Sequence, residues 1–568
     1  MQSLNFWMLL GMLPMGLGWF LTNTYFPWLS AWLETSALSS VLVLSIAAWQ
    51  LTRCGSVVAV RLSPPLAGMT MLVLASLALQ LAMGVVFFVG DAVMVLAYLL
   101  AWLLAVYVGQ VVARTEARQN LDAFWFAVLG AATLSVGLAL MQWLDVEGLN
   151  IFLLDMPVGA RPFANLGQPN NFCTLCFLGC AGLLYFHERG VVRGTSFGLA
   201  WCWLSFGMAL SQSRTGWLQI VCLVVGLWWL GQRIPLRVRR HHLVGMGIVF
   251  TFWVVTLPWL ADALLVTAGR TLGEQMQGGV RFSYWLSMLE AVLQRPWLGY
   301  GWLQTGLAQQ LDSASAFRVG IFDFSHNIAL DAVLWTGLPL GLGIVFCFLF
   351  WTFQQFRRLN NGIAVMTMLA LAGVMVHALL EYPLAYAYFL VPFGFIMGTL
   401  HGLIPSAANS GWGLGRRFMA GLAMGVAGFF AIIAHDYFSV ENAVRNLRFE
   451  SAHIGLRSEP VPVPTIRLLT QLDALMRYGY RDPGENISKE EWQKTGWISD
   501  RFGLSFVMFR YALASGFYGN SVGAKNTLEK ICRVHNKSKC QNVRIMWSQW
   551  GKKYPFSIGS IDFPEVDN

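Results

Sequence analysis

The sequence predicts an all-α polytopic membrane protein of about 13 transmembrane helices, followed by a mainly helical soluble domain. The first observation is composition: 56% of the 568 residues are apolar and 12% are charged, with a mean hydropathy of +0.55. Ordinary soluble domains carry about a quarter charged residues. A soluble chain of this size could not bury so much apolar surface. The second observation is the recurrence of apolar runs near the roughly 20 residues that a bilayer demands. The third is a change of character near residue 437. All the lysines (Lys489, Lys494, Lys525, Lys530, Lys537, Lys539, Lys552 and Lys553) lie beyond it. Two domains follow: 1–437, embedded in the membrane, and 438–568, soluble.

The runs fall near 5–22, 37–51, 66–89, 92–112, 122–143, 171–187, 196–211, 216–231, 243–262, 327–351, 362–380, 385–404 and 418–437. The second, sixth, seventh and eighth are short for a span. The first has neither a basic start nor a small-residue cleavage site, so it reads as a retained helix and not a signal peptide. Arginine sets the orientation. With the N-terminus in the cytoplasm, the cytoplasmic loops hold Arg53, Arg61, Arg114, Arg118, Arg189, Arg193, Arg233, Arg237, Arg239, Arg240, Arg357, Arg358, Arg416 and Arg417. The short loops opposite hold Arg161 and Arg214. This is the positive-inside pattern. It places a long loop, about 263–326, and the whole tail outside, and it leaves Arg161 and Arg214 in need of a reason.

The net charge of +9 is spread over short loops, so it reports topology and excludes a nucleic-acid-binding face. Cys54, Cys173, Cys176, Cys180, Cys202, Cys222 and Cys347 lie in or beside apolar spans, where cysteine behaves as a small hydrophobe. Cys173 and Cys176 have no His or Cys partners at metal spacing, and no metal or cofactor is expected. Cys532 and Cys540 are the pair in the tail, able to close a disulfide in an oxidising compartment. The tail reads as helices around 439–453, 465–478, 502–516 and 521–535.

Ionisable groups at the membrane cost roughly 2.5–3.5 kcal/mol each to insert, so those that persist usually have work to do. Four clusters stand out, all on the predicted outer side. Arg161-Pro-Phe-Ala-Asn-Leu-Gly-Gln-Pro-Asn-Asn171 offers one cation and several amides; its plain alternative is a loop capping a helix through Asn170 or Asn171. Ser211-Gln-Ser-Arg-Thr-Gly216 carries Arg214 on a tight turn. Arg281 opens an amphipathic segment that runs into Arg295-Pro-Trp-Leu-Gly-Tyr-Gly301. Phe324-Ser-His-Asn327 opens the tenth span with an imidazole able to act as a base near neutrality. Glu381 and Tyr382, following His377, add a carboxylate and a phenol. The plain alternatives are a snorkelling or surface arginine, a cap, and an aromatic belt. Together the clusters predict a cationic outer cavity with apolar walls. Such a cavity suits a lipid-linked diphosphate, whose head asks for arginine forks and whose tail asks for apolar helices. The cations would stabilise a diphosphate leaving group, and His326 would serve as base toward an acceptor hydroxyl.

These residues carry a family resemblance. The chain resembles the O-antigen ligase and polymerase superfamily, and more closely its bacterial protein O-oligosaccharyltransferases of the pilin-glycosylating, PglL-like type. Asn165-Leu-Gly-Gln-Pro-Asn-Asn171, Ser325-His-Asn327, Ser211-Gln-Ser-Arg-Thr-Gly216 and Leu380-Glu-Tyr-Pro383 are similar to that branch's motifs. The resemblance implies His326, Gln168 and Tyr382 as catalytic residues. It implies Arg214 and Arg281, with Arg161, Asn171, Asn327 and Glu381, as substrate-binding residues. Arg161 stands in an Arg-Pro-Phe-Ala segment that departs from many relatives. The implied reaction is en bloc transfer of an undecaprenyl-diphosphate-linked glycan to Ser or Thr of a periplasmic protein, with a type IV pilin-like protein as the implied acceptor. The implied place is the bacterial inner membrane, with the tail in the periplasm. An O-antigen ligase with a lipid A-core acceptor, a glycan polymerase and a secondary transporter are the rivals. The transporter would require matched half-chain repeats, and none is evident.

Overall fold

The computed structural model describes residues 2–53, 60–115, 119–146, 151–266, 281–311, 320–404, 411–451, 463–481 and 488–565. Arg118, Cys54, Gly279, Val280 and parts of the long loop and of the 439–453 helix lie outside the described residues. Among the described residues the chain is helical, with one antiparallel ladder of two-residue strands, β1 (Arg61–Leu62) and β2 (Trp412–Gly413).

Every predicted apolar run coincides with a helix. In chain order these are α1 (Gln2–Gly18), α2 (Ala31–Arg53), α3 (Pro64–Ala82), α4 (Val89–Arg114), α5 (Gln119–Trp143), α6 (Pro169–Glu188), α7 (Gly194–Leu210), α8 (Arg214–Leu230) and α9 (Arg240–Leu264). After α10 (Arg281–Gln294) and α11 (Thr305–Leu311) come α12 (Ile328–Arg357), α13 (Gly362–Ala378), α14 (Ala387–Leu403) and α15 (Arg416–Ser451). Seven of them are long and apolar enough to cross a bilayer, namely α2, α3, α4, α5, α9, α12 and α15. The chain is a multi-pass membrane protein. The tail continues as α16 (Thr470–Tyr480), α17 (Lys489–Phe502), α18 (Ser505–Phe517), α19 (Ser521–Val534) and α20 (Lys537–Lys553).

The chain divides into two compact units, each assembled from several stretches of sequence. The first comprises Met1–Gly68, Ala97–Gln277 and Cys347–Phe430. Its centre is α6, buried from Asn170 to Phe186, with α5, α7, α8 and α13 packed around it. Glycines let the helices approach: a Cβ at Gly373 would collide with the Phe177 ring, and one at Gly207 with Val136. Cys173, Cys176 and Cys180 are buried free thiols in this packing.

The second unit comprises Met69–Leu96, Gly278–Phe346 and Ala431–Asn568. The tail therefore shares a unit with the long loop from residue 278 onward and with parts of α3, α4, α12 and α15. Arg501 of α17 grips Asp91 through Nε and Nη2, at 2.8 and 2.9 Å. The Gly90 N–H donates to the Thr470 hydroxyl at 2.9 Å. The tail core is Met508, Leu513, Leu528, Ile531, Trp547 and Ile558, and Cys532 and Cys540 are joined by a disulfide. Two tail helices, α17 and α20, are additions to the sequence expectation. Both are polar, which hides them from an apolar-run search. The start of α17 is legible in retrospect, because Ser488 and Glu491 form a capping box. Those bonds from Ser488, together with Arg481, pull the Glu491 carboxyl down to about 2.

Candidate active site

The predicted site residues fall into two groups, one in each unit. In the first unit the loop before α6 is built on amides. Gln142 accepts from the N–H groups of Phe163 and Ala164 at 3.0 and 2.8 Å, and donates to the carbonyls of Leu154 and Ala164. Asn165 donates to the carbonyls of Phe20 and Phe152, each at 2.8 Å, and accepts from the Leu154 N–H. Ala164 takes a left-handed φ of 52° between these clamps. The helix N-cap is Gln168, with Pro169 in the first turn. Neither Asn170 nor Asn171 caps, because both already lie inside the helix and spend their side chains elsewhere.

Asn170 donates to Glu381 at 2.8 Å and accepts from the Ser213 hydroxyl at 2.7 Å. Gln168 donates to the other Glu381 oxygen at 3.5 Å. One buried chain thus joins three motifs that lie far apart in sequence. Asn171, also buried, donates to the Tyr388 hydroxyl at 3.0 Å. Tyr382, Tyr386 and Tyr388 form a ladder with ring centroids 5.8 and 5.0 Å apart. Arg214 is half-buried at the first position of α8, following Gln212, whose φ is 47°. Arg161 donates to the Gln212 carbonyl at 3.0 Å and so holds that turn.

Two features here escaped the sequence reading. Glu34 is buried in α2 and accepts from Tyr98 at 2.9 Å, from Ser30 at 3.0 Å and from the Ala387 N–H at the start of α14. A lone carboxylate just ahead of the second apolar run was the available signal. Deeper in the unit, His377 shares a 2.8 Å hydrogen bond with Thr174, which accepts from Gln219 at 2.9 Å.

The second unit holds Arg281 and His326. His326 has a φ of 61°, a left-handed conformation that costs a non-glycine residue roughly 1–2 kcal/mol. The turn is held from both sides. The Ser325 N–H donates to Asp331 at 2.7 Å, and Asn327 caps α12 by accepting from Ala329 and Leu330 at 3.0 and 3.2 Å. Upstream, Gln309 donates to the Gly320 carbonyl at 2.8 Å and accepts from the Phe322 N–H at 3.0 Å. Phe322 and Tyr284 then present their rings edge-on to the imidazole, at 5.1 and 6.5 Å. Trp285 donates to the Ser325 carbonyl at 2.9 Å. The tail reaches the same loop: Gly320 donates to the Val534 carbonyl at 3.0 Å, and Arg533 to that of Gln310 at 2.7 Å.

Burial, and then the Arg281 guanidinium, push the His326 imidazole down to about 4. It is neutral at physiological pH. Its Nδ1 faces the Phe324 carbonyl at 3.1 Å. A carbonyl can only accept, so Nδ1 carries the proton and the lone pair sits on Nε2. Among the described residues no group of three or more His, Cys, Asp or Glu side chains is placed to hold a metal.

Comparison with known proteins gives this arrangement a family. Residues 199–345 match the O-antigen ligase family, and residues 365–549 match the C-terminal region of virulence factor membrane-bound polymerases. The chain belongs to the O-antigen ligase and polymerase superfamily. It is 29% identical over 551 residues to the general O-oligosaccharyltransferase of Acinetobacter baylyi, covering 93% of this chain and 92% of that one. It is 30% identical over 331 residues to the ComP-specific O-oligosaccharyltransferase of the same organism, covering 57% and 59%. Within the superfamily the chain is a glycosyltransferase of the O-oligosaccharyltransferase type.

Proposed function

We propose that the chain transfers a preassembled glycan en bloc from undecaprenyl diphosphate to a Ser or Thr hydroxyl of a periplasmic protein, of the type IV pilin-like class. The single observation that carries the mechanism is His326. It is a neutral imidazole with its tautomer set by a carbonyl, held in a left-handed turn beside Arg281. The acceptor hydroxyl attacks the anomeric carbon of the glycan. Its proton passes to Nε2, the carbon–oxygen bond to the diphosphate breaks, and undecaprenyl diphosphate leaves. Arg281 neutralises charge on that leaving group. When the anionic donor engages Arg281, the repulsion that weakens His326 is relieved, so donor binding strengthens the base.

Arg214 takes the diphosphate-binding role that the family resemblance gives it. Gln168 and Tyr382 position the donor. Glu381, Asn171, Asn327 and Arg161 contribute by holding the turns that carry these residues. All thirteen apolar helices cross the inner membrane, with the N-terminus in the cytoplasm and the tail in the periplasm; the tail disulfide suits that oxidising compartment. No metal takes part. The O-antigen ligase match over residues 199–345 favours one second reading, a lipid A-core acceptor.

The test is reconstitution of the full-length protein with an undecaprenyl-diphosphate-linked glycan, offered both a pilin-like protein and lipid A-core, with and without chelator. Glycopeptides carrying the intact glycan on Ser or Thr, unaffected by chelator, are the expected products. Glycan on lipid A-core alone would replace the proposal with the ligase reading.

A further inference from the structure

The helix α10 has three faces. Tyr284, Met288, Ala291 and Val292 are buried in the second unit. Phe282, Leu286, Leu289 and Leu293 form a stripe at helical spacing on another face, exposed at 68%, 48%, 50% and 70%. Ser283, Glu290 and Gln294, all exposed, run along one edge of that stripe. A helix with one face on protein, one apolar face open and a polar edge matches a position along a membrane surface.

The segment that follows fixes the depth. In α12 the helix is broken at Gly337, whose φ of 81° only glycine adopts readily. Pro339 also removes a donor there. The carbonyls freed by the break are taken by the segment after α10. Tyr300 donates to Leu334 at 2.9 Å, Gly301 to Trp335 at 3.0 Å, and in return Leu338 donates to Pro296 at 2.7 Å. Gln80 of α3 completes the joint, donating to Leu298 and Trp335 at 2.9 and 2.7 Å. Irregular backbone survives at a membrane only when its polar groups are satisfied by protein in this way. From Gly337 to Arg357 the helix runs for about 21 residues, roughly the 30 Å of a bilayer core. The break therefore lies at the bilayer's edge, and α10 enters the joint at that level. Trp297, 75% exposed in the turn just beyond α10, is of the residue type that favours the interface.

We propose that α10 is an interfacial helix whose Phe282–Leu293 stripe lies against the acyl chains of the bilayer, with Arg281 and Arg295 at its two ends set among the anionic lipid phosphates. Arg281 and the neighbouring His326 then sit at headgroup depth, the plane in which a membrane-held diphosphate presents itself. The placement rests on the helix faces and on the joint with α12, and only its catalytic meaning rests on the proposed glycosyl transfer.

The experiment places the photoreactive residue benzoylphenylalanine singly at Phe282, Leu289, Leu293 and Glu290 of the full-length chain in native membranes. After illumination, phospholipid adducts are expected from the first three positions and not from Glu290. Protein adducts from the stripe, to an acceptor or a second copy, overturn the proposal, as does an absence of lipid adducts there. The readout needs no turnover, so it stands apart from the fate of the activity assignment. As a functional check, L289Q/L293Q leaves the buried face intact. It is expected to raise KM for the lipid-linked donor with kcat preserved; a loss confined to kcat counts against headgroup-depth placement.

Discussion

In the first unit, Glu381 accepts from Asn170 and Gln168, and Asn170 accepts in turn from Ser213. In the second, the imidazole of His326 sits half-buried between two aromatic edges and a guanidinium, on a turn that costs free energy to hold. Both groups were found by one rule, that polar residues beside apolar spans have work to do. The geometry separates the work. Amides whose hydrogen bonds close on other protein groups hold the shape of a loop. A group kept in a strained conformation by everything around it is where chemistry is expected.

The largest effect that could break this contrast comes from His326→Ala. Glycan transfer should fall by about 10²–10⁴, the usual worth of a general base, with insertion and thermal stability unchanged. Near-normal turnover would remove the second unit's loop from the chemistry. Gln309→Ala tests the support of that loop, since it frees both the Gly320 carbonyl and the Phe322 N–H. Misplacement by about 1 Å can cost on the order of a hundredfold, so kcat should drop by about tenfold to a hundredfold with KM kept. Gln309→Glu, still able to accept from Phe322, should fall between. A matching loss of KM would point to donor binding instead.

Asn170→Ala should give the opposite pattern. Removing it takes one hydrogen-bond partner from Glu381 and one from Ser213, a cost of about 1–3 kcal/mol, seen as a lower Tm with kcat per folded molecule preserved. Unchanged Tm with collapsed kcat would move the amide chain into the catalytic machinery. The smallest effect is on pH. His326 must be unprotonated to act, so kcat/KM should hold on its acid side until pH falls toward about 4. Arg281→Ala removes a cation that disfavours the imidazolium, so the acid limb should move to higher pH. Arg281→Lys keeps the charge, so the limb stays while donor KM rises, because a point charge cannot replace a bidentate fork.

Tail helices show where legibility ended. The runs that became α1 to α9 and α12 to α15 were readable because hydropathy is a local property, summed over one turn after another. α17 and α20 lack apolar runs, and their burial depends on partners such as Trp547 against Ile558 and Ile561. Asp91 and Arg501 stand 410 residues apart, and nothing local pairs them. The N-cap of α6 passed to Gln168 because Pro169 suits the first turn, a preference that Asn170 and Asn171 merely resembled.

By itself the sequence determined the membrane class, the helix register and the chemical types gathered in the four motifs, because composition and spacing within a helix need no distant partner. Only the tertiary structure decided that Glu381 closes onto Asn170, that the tail grips the loop bearing His326, and that α10 keeps an apolar stripe uncovered. Each depends on groups far apart in the chain, and hydrogen bonds and burial are set by where those groups meet.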